Sequence, residues 1–568
     1  MTGQARPDPA TEPGAPAAPF ARRHRGPLLA LLVVAALAVA VLVGTRLVAG
    51  GGPPVALGPP RFVEEAAAAG LVHAYDGEYT FFVGGGVAAF DCDDDGLPDL
   101  YLAGGAGPAG LFRNRSEPGG ALRFEPVPDA ATDLTSVTGA YPIDIDADRR
   151  TDLVVLRLGE NVVLRGLGGC RFERANETLG IDGGDGWTTA FSATWEHPDA
   201  TLPTLAFGDY VVLDERRQAT DRCADGQLIR PTPAGAYGQP IALRPTWCTL
   251  SMLFSDWDRS GRRDLRVSND RHYYRDGEEQ LWRVAPGEAP RLYTREEGWA
   301  RLQVWGMGIA SRDLTGDGYP EIYLTSQGDN KLQTLAGDPS RPAYEDIALR
   351  RGATAHRPYA GGDILPSTAW HPQFADVNND GFVDLFVSKG NVEAETTHAM
   401  KDPSNLLLGQ PDGTFVEAAE DAGLLDYWKA RGAALVDLNH DGLLDLVKVV
   451  RRRPVELFRN VGAGDAAAPR AMGHWLGIAL DGGGANHHAV GAWVAVRVGD
   501  RIDEQEVTVG GGHVSGQLGP LHVGLGGATR AEVRVTWPDG VVGPWLPVEA
   551  DRVVLVRRGA TAVEPWIR

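Results

Sequence analysis

The chain has 568 residues, and its 75 Asp and Glu against 54 Lys and Arg give a formal net charge of −21. Hydrophobic residues at 43% and charged residues at 23% lie near globular averages, which excludes wholesale disorder; the acidic balance excludes the basic stripe of a nucleic-acid-binding surface. With 73 Gly and 39 Pro, the composition points to many tight turns between short strands rather than to helical bundles.

Residues 1–26 are rich in Pro and Ala and read as a disordered cytoplasmic tail ending in Arg22, Arg23, His24 and Arg25. Leu28–Val43 is an unbroken apolar run. Residues 27–48 therefore read as a transmembrane signal-anchor or, with Val48 and Gly50 as the small residues of a cleavage site, as a signal peptide. The arginines precede the run, so the positive-inside rule sends the rest of the chain outward. Residues 49–60 are a linker.

From 61 to 465 one pattern recurs: apolar strand, Asp-rich nonamer, apolar strand. The nonamers start at Asp91, Asp144, Asp256, Asp313, Asp376 and Asp437. A degenerate copy, Trp195-Glu196 and then Leu205–Tyr210, falls between the second and third and gives seven units of roughly 58 residues. It carries Pro198, Ala200 and Thr204 at the other ligand positions, so no metal is expected there. A second element recurs as Phe62…Gly70-Leu71, Phe172…Gly180-Ile181 and Phe415…Gly423-Leu424. Units of short strands at this period read as propeller blades, because no single blade buries both of its faces unless it stacks in a ring.

The nonamers place oxygen ligands at positions 1, 3, 5 and 9. These are Asp91, Asp93, Asp95 and Asp99; Asp144, Asp146, Asp148 and Asp152; and Asp256, Asp258, Ser260 and Asp264. The later three sets are Asp313, Thr315, Asp317 and Glu321; Asp376, Asn378, Asp380 and Asp384; and Asp437, Asn439, Asp441 and Asp445. Position 7 offers a backbone carbonyl, and Gly at position 6 permits left-handed backbone. An all-oxygen shell suits a hard cation of calcium size, whereas magnesium keeps its waters and transition metals ask for His or Cys. Up to six structural Ca²⁺ ions are expected. Arg149 at position 6 and Ser260 at position 5 mark two weaker sites. Six bound ions would take the formal charge to about −9.

Phe82, Trp187, Trp247, Trp305, Trp370 and Trp428 recur shortly before the nonamer units. Two readings are open: packing between blades, and an aromatic rim for a sugar or peptide ligand. Cys223 and Cys248 bracket a Pro-rich insertion and are the expected disulfide, with Cys92 and Cys170 as a second pair. His487-His488 lies in a Gly-rich turn and reads as an exposed loop in preference to a ligand or metal contact. No His-Glu-x-x-His, Gly-x-Ser-x-Gly, phosphate loop or dinucleotide fingerprint is present, so no catalytic residue is assigned. Residues 470–560 alternate apolar and polar positions between Gly-rich turns, as in Val494–Val498 and Ala531–Trp537, and read as a small antiparallel β-domain.

Gly84–Asp91, Trp305–Ala310, Leu385–Val392 and Arg431–Asp437 resemble the FG-GAP/VCBS repeats of integrin-alpha-like propellers. His474–Leu480, Ala489–Arg497, Leu521–Gly526 and Val533–Gly540 are similar to the ASPIC/UnbV domain. The combination, over about residues 60–560, resembles the cartilage acidic protein family. The resemblance implies an all-β chain: a seven-bladed propeller with calcium in its blade loops, followed by a small β-domain. The function expected is that of a membrane-tethered, extracytoplasmic, calcium-binding propeller that binds a protein or glycan at the cell surface, in adhesion or recognition. A carbohydrate-active enzyme (a polysaccharide lyase or hydrolase on the same scaffold) and a structural envelope component are the alternatives. No nucleic-acid partner is expected.

Overall fold

Apolar stretches flank every nonamer, and in the computed structural model each such pair folds into an antiparallel hairpin with the nonamer as its connection. The structure describes residues 55–270 and 276–566. The tail at 1–26, the apolar segment at 27–48 and residues 49–54 of the linker lie outside the described residues. Among the described residues no helix is long and apolar enough to cross a membrane.

The hairpins grow into four-stranded sheets. Sheet 1 holds Val87–Phe90, Asp99–Leu102, Gly110–Asn114 and Phe124–Pro126, and sheet 2 Val137–Ile143, Asp152–Arg157, Val162–Gly166 and Phe172–Arg174. Sheet 3 holds Thr188–Thr194, Thr204–Asp209, Gly226–Ile229 and Ile241–Leu243, with the hairpin Val211–Leu213/Ala219–Cys223 inserted in it. Sheet 4 holds Thr249–Ser255, Asp264–Asn269, Gln280–Arg283 and Arg291–Leu292, and sheet 5 Gly306–Arg312, Glu321–Ser326, Lys331–Leu335 and Tyr344–Asp346. Sheet 6 holds Ala369–Ala375, Asp384–Lys389, Asn405–Gly409 and Phe415–Glu417. Sheet 7 holds Ala430–Val436, Asp445–Val450 and Glu456–Asn460, and takes its fourth strand, Phe62–Glu64, from the start of the described chain, with Phe62 opposite Asn460.

The first strand of each sheet adjoins that of the next, and the first strand of sheet 7 adjoins that of sheet 1. This closed series of repeated sheets is consistent with a β-propeller. First strands such as Val137–Ile143, Thr188–Thr194 and Thr249–Ser255 are buried throughout, because neighbours cover both of their faces. The second recurring sequence element is an outer strand followed by a capped turn. Phe172–Arg174 is an outer strand, Asn176–Leu179 a single helical turn, and Gly180 its left-handed cap at φ 71°, with buried Ile181 anchoring the exit. Gly70 and Gly423 take the same left-handed backbone before buried Leu71 and Leu424.

The C-terminal region forms two further sheets. One orders Leu521–Gly526, His474–Asp481, Arg552–Arg557 and Glu564–Pro565; the other orders Arg501–Glu506, Trp493–Val498, Arg530–Thr536 and Leu546–Glu549. Leu476, Ile478, Val494, Val533 and Val554 belong to their shared core. The expected antiparallel domain is mixed: His474–Asp481 pairs in parallel with Arg552–Arg557, which the long excursion through the second sheet makes possible.

Between Glu506 and Leu521 the chain leaves this domain and enters the ring. Gly516–Leu518 adds to sheet 1 as a fifth strand, parallel to Val87–Phe90. Bridges join Ser515 to Ala140 of sheet 2, Val509 to Ala193 of sheet 3, Gly510 to Leu253 of sheet 4 and Gly512 to Ile309 of sheet 5. The backbone N–H of His513 donates to Nδ1 of His371 in sheet 6 at 3.1 Å, and Ser515 packs on Gly432 of sheet 7. One segment that touches the first strand of all seven sheets lies on the axis of the ring. Residues 508–518 are therefore a plug.

Candidate metal loops and the docked C-terminal domain

The six nonamers share one hydrogen-bond scheme. The position-1 carboxylate accepts the position-6 N–H at 2.8–3.0 Å in all six: Asp91 from Gly96, Asp144 from Arg149, Asp256 from Gly261, Asp313 from Gly318, Asp376 from Gly381 and Asp437 from Gly442. Position 5 accepts the N–H of position 7, as in Asp95 from Leu97 and Asp380 from Phe382. Position 6 is left-handed throughout, and Arg149 adopts φ 70° where the other loops have Gly. Position 4 is also left-handed: Asp94, Ala147, Arg259, Gly316, Asn379 and His440. These paired reversals curl the loop, and in sheets 1 and 2 they bring oxygens of positions 1, 3 and 9 together.

Position 9 starts the second strand and ties the loop to the sheet. Asp99 accepts the N–H groups of Cys92 and Asn114, both at 2.7 Å; Asp152 those of Ile145 and Gly166; and Asp384 those of Val377 and Gly409. Each carboxylate oxygen has two lone pairs, so these straps leave room for a cation. Burial pushes Asp99 and Asp152 up to about 8, and Asp313 and Asp437 up to about 7, with neighbouring loop carboxylates adding to the shift. Asp376 and Asp384 shift upward for the same two reasons.

Calcium fits this donor set by a specific test. Asp93 Oδ1, Asp144 Oδ1 and Asn439 Oδ1 are buried oxygens without a hydrogen-bond partner, and all three stand at ligand positions. Buried polar atoms in folded proteins are mostly satisfied, and three unpartnered oxygens at equivalent places in three loops fit the places a cation would fill. Asp91, Asp93 and Asp99 bring one oxygen each within 4.8 Å of one another, as do Asp144, Asp146 and Asp152.

The loops are not equivalent. In sheet 4, Arg262 lies inside its own loop: Nε is 2.9 Å from Asp264 Oδ1, Nη2 is 3.0 Å from Asp264 Oδ2, and Asp258 is 3.6 Å away. Trp257 Nε1 and the Tyr293 hydroxyl also donate to Asp264. In the degenerate copy of sheet 3, Glu196 takes Arg230 at 2.7 Å and the Thr204 hydroxyl at 2.7 Å.

The C-terminal domain sits on the nonamer face, which the sequence did not suggest. Asp481 accepts from Arg149 at 3.0 Å, and His487 Nδ1 lies 2.9 Å from Asp144 Oδ2. Glu504 pairs with Arg259 at 2.8 Å, and Glu506 accepts from the Asp256 N–H and the Ser255 hydroxyl. Arg312 pairs with Asp503 at 2.6 Å, and His522 Nε2 meets Asn379 Oδ1 at 2.7 Å. Trp475 packs on Gly442, and Gly524 on Asp376. His487, read from the sequence as an exposed loop residue, is 5% exposed, because the turn that carries it is pressed onto sheet 2.

The recurrent aromatics divide. Phe82, Trp187 and Trp370 are buried in one cluster with Tyr210, Cys248, Leu250 and Met307, drawn from five sheets. Trp247 is half-buried against Gly277, Trp305 is half-buried beside His398, and Trp428 is exposed with Arg453 stacked on it. Trp370 also carries Arg431 and faces His513 of the plug. Cys223 is disulfide-bonded to Cys248, and Cys92 to Cys170.

Two family profiles match these same regions: the ASPIC and UnbV profile over residues 482–563, and the FG-GAP-like repeat profile over 91–155 and 313–387. The chain carries FG-GAP-like repeats and an ASPIC/UnbV domain. It is similar to Cartilage acidic protein 1 of Mus musculus, 31% identical over 172 residues, and to that of Homo sapiens, 31% identical over 156 residues. The matches cover 28% and 25% of this chain and only 23% and 20% of those relatives, so the chain spans less than a quarter of their length. Among solved structures it is similar to BBS1N in complex with ARL6DN, at 12% identity and a TM-score of 0.39, covering 73% of this chain and 100% of that one. It is also similar to an Agrocybe aegerita lectin at 14% identity and a TM-score of 0.36, covering 64% and 88%. Scores at this level carry no argument about the FG-GAP-repeat chain, whose fold rests on its own sheet pairings.

Proposed function

We propose that this FG-GAP-repeat chain is a seven-bladed, calcium-stabilised propeller, held outside the cell membrane by residues 27–48, that recognises a protein or glycan at the cell surface. The observation that carries the calcium reading is the set of orphaned, buried ligand-position oxygens on Asp93, Asp144 and Asn439. Calcium is structural here: it neutralises carboxylates that burial and mutual repulsion otherwise disfavour, and it stiffens the face on which the ASPIC/UnbV domain sits. The loops of sheets 1, 2, 5, 6 and 7 are its natural sites. Two disulfides fit an oxidising, extracytoplasmic compartment. FG-GAP-like repeats joined to an ASPIC/UnbV domain support recognition or adhesion as the role. Because residues 508–518 occupy the axis, the ligand is taken by the outer surface.

Two measurements test this. Calcium should raise the melting temperature by mass action and a chelator should lower it; identical melting in both sinks the calcium reading. A glycan array and a pull-down with surface proteins test recognition, and saturable binding to neither class removes it.

A further inference from the structure

Between its second and third strands, Asp384–Lys389 and Asn405–Gly409, sheet 6 makes an excursion on the end opposite its nonamer. Lys389 and Asp402 meet there, buried at 0% and 1% exposure. Lys389 Nζ lies 3.0 Å from Asp402 Oδ1, yet neither atom makes a hydrogen bond, so the contact lacks the alignment of an ordinary ion pair. Asp402 Oδ2 is engaged: it accepts the Thr368 N–H at 2.6 Å. Val387 is opposite Asn405, and side chains alternate along a strand, so Lys389 and Asn405 share a face. Asn405 gives an amide N–H to Glu417, and its Oδ1 is buried without a partner.

An ammonium carries three N–H donors, and a charge pair taken out of water needs its donors and acceptors met to offset the lost hydration. An amide asks for less, and its needs match this site: the Thr368 N–H for its carbonyl and Asn405 Oδ1 for its N–H. Lys448 of sheet 7 shows the contrast. It is equally buried, but it donates to Asp426 and lies 2.8 Å from Glu456, and both of those carboxylates reach solvent.

We propose that Lys389 and Asp402 condense into an isopeptide bond that closes the excursion of sheet 6 covalently. Nζ passes one proton to Oδ1 and attacks Cγ. The Nζ–Cγ bond forms, a second proton moves from nitrogen to Oδ1, and the Cγ–Oδ1 bond breaks as water leaves. Oδ2 becomes the amide oxygen, with the Thr368 N–H placed to stabilise the charge that develops on it. The nitrogen keeps one hydrogen, both charges vanish, and the step needs no oxidant, reductant or cofactor. Fixed proximity supplies a high effective concentration of amine. In water, hydration favours the separate ions over the amide; in this dry site that hydration is absent. The bond depends neither on calcium nor on the ligand proposed above.

The test is mass spectrometry of the full-length chain after denaturation and reduction. The wild type is expected to be one water lighter than its sequence requires. Trypsin is expected to fail after Lys389, leaving that peptide joined to the one that begins at Asp402. Lys389→Met and Asp402→Ala are expected at their full sequence masses. Asp402 precedes Pro403, which has no N–H, so water lost at Asp402 cannot come from a backbone succinimide. A wild type at full mass that is cut normally after Lys389 overturns the proposal. So does a loss of water that persists in Lys389→Met, which places it elsewhere in the chain. If either variant fails to fold, the fragment spectrum of the wild-type branched peptide decides alone.

Discussion

Gly86 of sheet 1 and Val514 of the plug touch through backbone alone: a β-carbon on Gly86 would collide with the Val514 carbonyl oxygen. Gly139 of sheet 2 meets the same oxygen from the other side. One glycine just ahead of the first strand of sheet 1 and one within that of sheet 2 thus make the slot that admits the plug. Gly86→Ala is expected to destabilise the protein by about 1–3 kcal/mol, since backbone cannot rotate away from an overpacked contact as a side chain can. Gly519→Ala, with nothing within 4 Å of the added carbon, is the control and should melt as wild type. Hydrogen exchange at residues 508–518 should rise in Gly86→Ala. Unchanged melting and exchange would mean that the plug is not seated as described.

The loop carboxylates make stability depend on pH in a way that calcium should cancel. Asp99 and Asp152 titrate at about 8 in the fold and Asp313 and Asp437 at about 7, against about 3.9 for Asp and 4.3 for Glu in an unfolded chain. Their folded values are raised, so the folded chain binds more protons than the unfolded one. The stabilisation is complete below about pH 4 and is lost as pH rises through 7 and 8. In chelator, the melting temperature should therefore fall from pH 5 to pH 9. In millimolar calcium the loops are ionised and paired with metal, and the slope should flatten. Equal slopes with and without calcium would contradict the loop assignment.

Much of this was readable because the repeat is local. Strand, nonamer and strand are contiguous, and Gly96, Gly261, Gly318, Gly381 and Gly442 announce the left-handed position 6. The left-handed position 4 was hidden, since Asp94, Ala147, Arg259 and His440 share no residue type and the curl of the whole loop imposes the backbone on each. The plug was hidden for a different reason. Gly510-Gly-Gly-His-Val-Ser-Gly516 has the composition of a flexible turn, and its partners lie as far as 428 residues away, as in Ser515 with the Val87 N–H. His487 was misread on the same ground: composition describes a segment, not the surface pressed against it.

Trp370 separates the two readings of the recurrent aromatics. It is fully buried, its Nε1 donates to the Gly390 carbonyl at 2.7 Å, and Arg431 lies 4.1 Å from its ring centre. Trp370→Ala should cost about 3–5 kcal/mol, as for a large core truncation, and leave Arg431 without its stacked partner. Trp428, 41% exposed, should cost under about 1 kcal/mol when changed to Ala. A ligand lost by Trp428→Ala at unchanged melting would point to a binding surface there; lost binding in Trp370→Ala without lost stability would contradict its place in the core.

Arg262 in the sheet-4 loop occupies the position a cation would take, so this loop should bind no calcium in the wild type. Its guanidinium forks onto both oxygens of Asp264, and its side-chain charge also reaches Asp258. Arg262→Ala removes a half-buried partner from two carboxylates. In chelator the variant should lose up to about 3–5 kcal/mol, because unpaired buried charge costs more than the pair contributes. In calcium the same variant should gain one bound ion per chain and recover part of that loss, with weaker affinity than the other loops, because Trp257 and Tyr293 still hold Asp264 Oδ2. Arg262→Lys, which keeps the charge, should gain none. Calcium counting by elemental analysis alongside melting decides the matter: an unchanged count in Arg262→Ala would show that Arg262 is not what keeps calcium out of that loop.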